Sequence, residues 1–287
     1  RVFASVLPIK TFVEKVGGEH VDARSMVRPG YSPHTYEPTP QQIAALAGTR
    51  LYVRTGLPFE EPWMPRIRSA NPAMEVLDAR SGMALRTLEA HDHDGEEPGQ
   101  DHGHHDHGHD RHEHKHGGTP AHGTDEPDPH LWTSPPLAAR IAERIRERLS
   151  ALDPQNAADY ERNYRAFAAE LESLDAEIHA LLDPLKHRRF MVFHPAWGYF
   201  ADNYGLTQVP IEREGKEPGA RALAALIEQA RREGVRVVFV QPQFDTRLAA
   251  RIAEAIGGGV VAVDPLAADY ADNLRSVAQQ FAEALQR

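Results

Sequence analysis

Histidine concentrates the chemistry of this chain: 17 of its 287 residues are histidine and none is cysteine. The lack of thiols excludes a disulfide framework, a thiolate metal site and a cysteine nucleophile together. Three histidines stand alone in Pro-containing turns. They are His34 in Ser32-Pro33-His34-Thr35-Tyr36-Glu37-Pro38, His130 in Asp128-Pro129-His130-Leu131-Trp132, and His194 in Phe193-His194-Pro195-Ala196-Trp197-Gly198-Tyr199. Each falls just after a strand-like run or just before a helical one. Asp264 has the same placement, after the apolar run 260–263 and before Pro265-Leu266. In parallel α/β sheets ligands gather outside the carboxyl ends of the strands. A borderline divalent metal asks for about four N/O ligands held on fixed elements. Three neutral imidazoles and one carboxylate provide that set and leave a Zn²⁺ site with a net charge of about +1. Taken singly, each of these residues also fits a hydrogen-bonded core or loop role; four at matching positions favour a shared centre. His20, His179 in a long helical run and His187 in a basic turn read as structural, as does Glu37 among its prolines.

The elements that must position these residues follow from hydrophobic period and turn chemistry. Apolar runs at 2–7, 21–27, 51–53 and 74–77 read as strands. Between the second and third, Thr39 is placed as an N-cap with Pro40 at the first helical position, Gln42 closing a capping box and Gly48 stopping the helix. Ser134-Pro135 opens a second helix with Leu137, Ile141, Ile145, Leu149 and Leu152 on one face. From Asp153-Pro154 a third carries Tyr160, Tyr164, Phe167, Leu171, Leu174, Ile178, Leu181 and Leu185 as one long stripe. A coiled coil would show such a stripe. Continued alternation of strands and helices favours instead a helix packed along a two-lobed body. Strands follow at 190–193, 209–211, 235–240 and 260–263, with helices over 220–233 and 246–256, the latter ending at Gly257-Gly258. A last helix presents Leu274, Val277, Phe281 and Leu285. The expected fold is α/β: two similar lobes with mostly parallel sheets, 1–152 and 187–287, joined by one long helix over 153–186.

Composition sets the outer bounds. Hydrophobic residues make up 41% and charged residues 26%, a balance that can bury a core. No run approaches the roughly 18 apolar residues of a membrane-spanning helix. A net charge of −10 argues against nucleic acid as a partner. The segment at about 90–127 is low in aliphatics and holds the 11 histidines from His91 to His122, among them His102, His104, His105, His107, His109, His112, His114 and His116. Such a composition predicts a mobile inserted loop offering many weak, pH-dependent metal sites. The start at Arg1, without Met, reads as a mature chain whose export signal has been removed.

Four motifs, taken in order, carry a resemblance: Pro33-His34…Tyr36-Glu37-Pro38, Asp128-Pro129-His130…Trp132, Val192-Phe193-His194-Pro195-Ala196-Trp197-Gly198-Tyr199-Phe200 and Val263-Asp264-Pro265-Leu266. Together they resemble the signatures of the cluster A-I (cluster 9) metal-binding solute-binding proteins of ABC transporters, a match running over essentially the whole chain. The resemblance implies two α/β lobes bridged by a rigid helix, with His34, His130, His194 and Asp264 as metal ligands. It implies a periplasmic zinc receptor that is not an enzyme, acting as a monomer and delivering its ion to a membrane permease. Family members that take manganese tend to carry Glu where this chain has His194, and imidazole suits zinc. Zinc is the expected cargo, with nickel, copper and cobalt binding in vitro. A buffer or adhesin would use the same site, and a manganese receptor is a further alternative. A zinc hydrolase would need an adjacent base, and no His-Glu-x-x-His or nucleophile elbow is present. One departure stands out: where relatives often have Glu, this chain reads Val240-Gln241-Pro242-Gln243.

Overall fold

A computed structural model describes residues 1–88, 127–212 and 217–286. The His-rich segment expected to be mobile lies outside the described residues.

The first lobe opens with β1 (Val2–Ala4), α1 (Leu7–Gly17) and β2 (Ala23–Ser25). α2 (Pro40–Ala45), β3 (Leu51–Arg54), α3 (Glu60–Ala70) and β4 (Glu75–Asp78) complete its sheet, in the order β2-β1-β3-β4. α4 (Pro135–Leu152) and the 26-residue α5 (Ala157–Leu182) lead to the second lobe. There β5 (Arg189–Val192), α6 (Gly198–Asn203), β6 (Thr207–Pro210), α7 (Ala220–Arg232), β7 (Val237–Val240), α8 (Arg247–Ala255), β8 (Gly259–Ala262) and α9 (Tyr270–Leu285) follow. Its sheet runs β6-β5-β7-β8, the same plan as the first, and every pairing in both sheets is parallel.

Local chemistry explains the boundaries. The first strand is shorter than the apolar run 2–7 suggests, because Leu7-Pro8 begins α1, whose buried Ile9, Phe12, Val13 and Val16 recur at helical spacing. Thr39 and Gln42 form the expected capping box, both halves being made. Ser134 occupies the N-cap of α4 without a side-chain cap bond. The prolines after it leave fewer N–H groups to cap. Gly258 answers a packing demand: a Cβ there would sit 2.0 Å from the Arg236 carbonyl oxygen, so only glycine lets β8 approach β7.

The linking helix departs from expectation in one instructive way. The stripe read from sequence alternates steps of four and three, and each such seven-residue pair falls about 20° short of two turns of an α-helix with 3.6 residues per turn. The drift accumulates, so Leu182 is fully buried at the end of α5 while Leu181 is 37% exposed. Leu185 lies past the helix and is buried all the same.

The core is continuous across the lobes. One buried cluster runs from Phe3, Phe12 and Tyr52 through Ile145 of α4 and Phe167 and Ile178 of α5 to Phe190, Phe239 and Phe281. The central strands of the second sheet, β5 and β7, are buried on both faces with strict alternation. Phe190 and Val192 of β5 face the shared core, and Met191 joins a second cluster with Val238, Val240 and Ile252. Among the described residues no helix is long and apolar enough to cross a membrane.

Two outcomes follow. Leu182→Ala should cost about 2–5 kcal/mol of unfolding free energy. Leu181→Ala should cost less than about 0.5 kcal/mol by the same denaturant titration; equal losses would contradict the drifted stripe. Because α5 belongs to the core of both lobes, small-angle scattering should show no large closure between metal-free and metal-loaded protein.

Candidate metal centre

Three of the four expected ligands meet between the lobes. His34, His130 and His194 each offer a ring nitrogen, and these atoms lie within 4.8 Å of one another. The ring centroids are 4.3 Å apart for His34–His194, 5.3 Å for His130–His194 and 5.9 Å for His34–His130.

Each imidazole is placed by a different device. His34 sits in the loop between β2 and α2, where its N–H donates to Ser32 Oγ. The α2 capping box ties that loop down: Gln42 Nε2 donates to the Met26 carbonyl at the end of β2 and Oε1 accepts from Tyr36 OH. His130 precedes α4. Its backbone N–H and its Nδ1 both donate to Asp128 Oδ1, at 2.9 and 2.8 Å. His194 lies two residues past β5. The β5–β6 register pairs Val192 with Pro210, so two steps on His194 falls beside Glu212, and its Nδ1 donates to Glu212 Oε1. Phe244 stacks on the His194 ring at 5.1 Å.

A carboxylate only accepts hydrogen bonds, so Asp128 and Glu212 both fix the proton of their histidine on Nδ1. Nε2 is then the lone-pair nitrogen, as in carboxylate–histidine–metal arrangements. The Nε2 atoms of His34 and His194 are buried and without a hydrogen-bond partner. A buried polar atom left unpaired costs roughly 1–3 kcal/mol, which a metal bond would remove. Asp128 and Glu212 did not emerge from the sequence as functional residues. Asp-x-His in the second motif was a usable signal for Asp128, whereas Glu212 is revealed only by the strand register.

Asp264 is not a member of the three-histidine group. Its Oδ1 accepts from the Leu266 N–H and from Gln243 Nε2, both at 2.9 Å, and its carbonyl accepts from Asn273. Gln243 is therefore the side chain that holds this carboxylate. Both line a cavity of about 350 Å³ with Arg28, Tyr31 and Asp269. His20, His179 and His187 stand apart from the cluster; the first two pair with Asp159 and Asp183. Glu37 is exposed.

The lobes are stapled around the centre. Arg86 donates from Nη1 to the Gly198 carbonyl at 2.8 Å, and its Nε lies 3.6 Å from Asp128 Oδ2. Tyr199 OH donates to the Asp128 carbonyl and accepts from the Arg86 N–H. A Cβ on Gly198 would come within 2.8 Å of both the Arg86 guanidinium and Asp128 Oδ2, so the close approach requires glycine. On the other side Trp132 Nε1 donates to the Pro265 carbonyl, and Tyr270 OH donates to the Trp132 carbonyl.

A two-lobed, all-parallel α/β body with a histidine centre in its cleft is the architecture of a metal-capturing solute-binding protein. The family model described as "ZnuA: Zinc-uptake complex component A periplasmic" matches residues 2–284, and the chain belongs to that family of binding proteins, which are not enzymes. It is similar to the high-affinity zinc uptake system protein ZnuA of Bacillus subtilis, 29% identical over 258 residues that cover 89% of this chain and 75% of that protein. The zinc-binding protein AdcA of Streptococcus pyogenes is 25% identical over 272 residues, 93% of this chain and 50% of AdcA, so the chain spans about half the length of that relative. Among solved structures, a ZnuA deletion mutant with zinc bound is 40% identical with a TM-score of 0.85, covering 100% of this chain and 98% of that one.

Burial sets the protonation of His34 and His194. Desolvation, then the neighbouring His194 and His130, push the His34 pKa well below the ordinary histidine value. Desolvation likewise lowers that of His194, against the upward pull of Glu212. In the metal-free protein the unfolded chain therefore takes up protons first as pH falls below about 6.5. Stability should be complete above that value and decline on acidification toward the depressed folded-state pKa values. His34→Ala should flatten this decline by up to about 1.4 kcal/mol per pH unit in urea titrations; an unchanged slope would show that His34 is not held neutral by burial.

Proposed function

We propose that this protein captures Zn²⁺ in the cleft and delivers it to an ABC-type membrane permease from the periplasm. In this reading lobes 1–152 and 187–287, joined by 153–186, present His34, His130 and His194 as ligands, with Asp264 as the fourth. The observation that carries it is the convergence of three imidazoles within 4.8 Å, two of them locked with Nδ1 protonated and Nε2 facing the gap. A nitrogen-rich set of this kind suits zinc over manganese. The zinc-loaded relative of the same fold supports the choice of ion. The ion here is cargo, and the burial of the imidazoles gives it a site that excludes water and holds its donors ready. Asp264 would reach the ion by letting go of Gln243, whose hydrogen bond holds it in the neighbouring cavity.

His194→Ala removes one nitrogen donor and should weaken the tightest zinc site by at least two orders of magnitude in chelator competition. Asp264→Asn should weaken it less, the imidazoles remaining in place. A strain lacking the gene should fail to grow in zinc-depleted medium and recover with added zinc or with the wild-type gene, and not with the His194→Ala gene. Normal growth of the deletion strain would turn the reading toward a zinc buffer.

A further inference from the structure

The two carboxylates behind the histidines look alike by geometry and differ in charge environment. Asp128, 1% exposed, lies 3.6 Å from the Arg86 guanidinium, which also pairs with Asp202 at 2.5 Å, so its negative charge is offset in part before any ion arrives. Glu212, 4% exposed, bonds to His194 Nδ1 and forms no ion pair with any described lysine or arginine. Ile211 precedes it, Phe244 covers the His194 ring, and in the register of the sheet Gln241 flanks His194 on the side away from Glu212. A buried carboxylate without a cation is costly, and the protein keeps one about a ring's width behind a ligand nitrogen.

We propose that Glu212 is the charge-setting positioning residue of the centre: it aims His194 and, because no described lysine or arginine pairs with it, makes the cleft favour a divalent over a monovalent cation. The inference rests on the cleft being the zinc site proposed above. With three neutral imidazoles, a dication would be balanced by Glu212 and Asp264, the two nearby acids that carry no ion pair with a described lysine or arginine. A monovalent ion would leave the cleft negative by one. Asp128 contributes aim, its charge being offset in part by the Arg86 guanidinium that it shares with Asp202.

The test separates charge from aim with two substitutions in the full chain. Glu212→Gln keeps an oxygen acceptor for His194 Nδ1–H and removes the charge. Glu212→Asp keeps the charge and shortens the reach. The protein is loaded with Co²⁺, whose visible absorption reports the centre alone, and the cobalt is displaced by buffered free Zn²⁺ or by Ag⁺, a monovalent cation that imidazole nitrogen binds. Glu212→Gln should lower absolute zinc affinity about 10–100-fold in chelator competition. It should leave the Zn²⁺ concentration that displaces cobalt nearly unchanged, because the two ions share one charge. The Ag⁺ concentration required should fall about tenfold or more. Glu212→Asp should keep the Ag⁺ midpoint within about threefold of wild type even where zinc affinity drops. An unchanged Ag⁺ midpoint in Glu212→Gln would reduce Glu212 to an aiming role and overturn the proposal, as would unchanged zinc affinity. Wild-type protein that holds no tight zinc at all would overturn the zinc-site reading together with this one, whereas tight wild-type zinc with either of the preceding results overturns this one alone.

Discussion

Three imidazoles offer ring nitrogens within 4.8 Å of one another, and His34 and His194 can sit so close in the cleft only if they stay neutral. Much of the surrounding structure follows from that constraint. Burial disfavours the protonated forms of His34 and His194, and the neighbouring rings add to that. The rings must also be turned so that lone pairs, and not N–H groups, meet in the middle. Asp128 and Glu212 do this for His130 and His194 by accepting the Nδ1 proton. His34 has no carboxylate behind it in the described hydrogen bonds, and it shows the strongest depression among the histidines for which a shift is resolved. It is held instead through its loop, by the Ser32 hydroxyl and the α2 capping box.

Such a centre needs walls that do not drift, and the core supplies them. The shared hydrophobic cluster passes through α4 and α5 into both lobes, so their relative position is fixed by packing and not by a flexible hinge. Two polar staples close the same interface at either side of the histidines. The Arg86–Asp128–Tyr199 set fixes the base of His130 to the turn after His194. The Trp132–Pro265 bond fixes the far side of the same turn to the segment of Asp264. His130 is thereby referenced to both functional loops of the second lobe.

How much of this the sequence discloses depends on the range of the interaction involved. Helical period, capping chemistry and Pro-containing turns are local, and they located the strands, the α2 cap and the three histidines at their loop positions. Strand edges were overdrawn at 2–7 and 21–27 because an apolar run does not say where a helix or loop takes over. The α5 stripe went astray at Leu181 only after nearly six turns, as a seven-residue repeat must against 3.6 residues per turn. Glu212 was invisible because its role is created by the register between β5 and β6, 18 residues apart in sequence. The Arg86–Gly198 bond spans 112 residues and leaves no local mark.

The two lobes share one topology and use it differently. In each sheet the strand order reverses beside the first strand, β1 in one lobe and β5 in the other, and that reversal opens a crevice at the carboxyl ends. In the second lobe His194 stands there. In the first, the corresponding crevice is filled from within by Glu60, at the start of α3. It accepts from Ser5 Oγ, Tyr52 OH and the backbone N–H groups of Thr55, Gly56 and Leu57. A helix N-terminus that would attract an outside anion is thereby satisfied by the chain's own carboxylate. The first lobe consequently contributes its two histidines of the cluster from loops that reach toward the second, His34 after β2 and His130 before α4, and the cluster lies between the sheets instead of on either one.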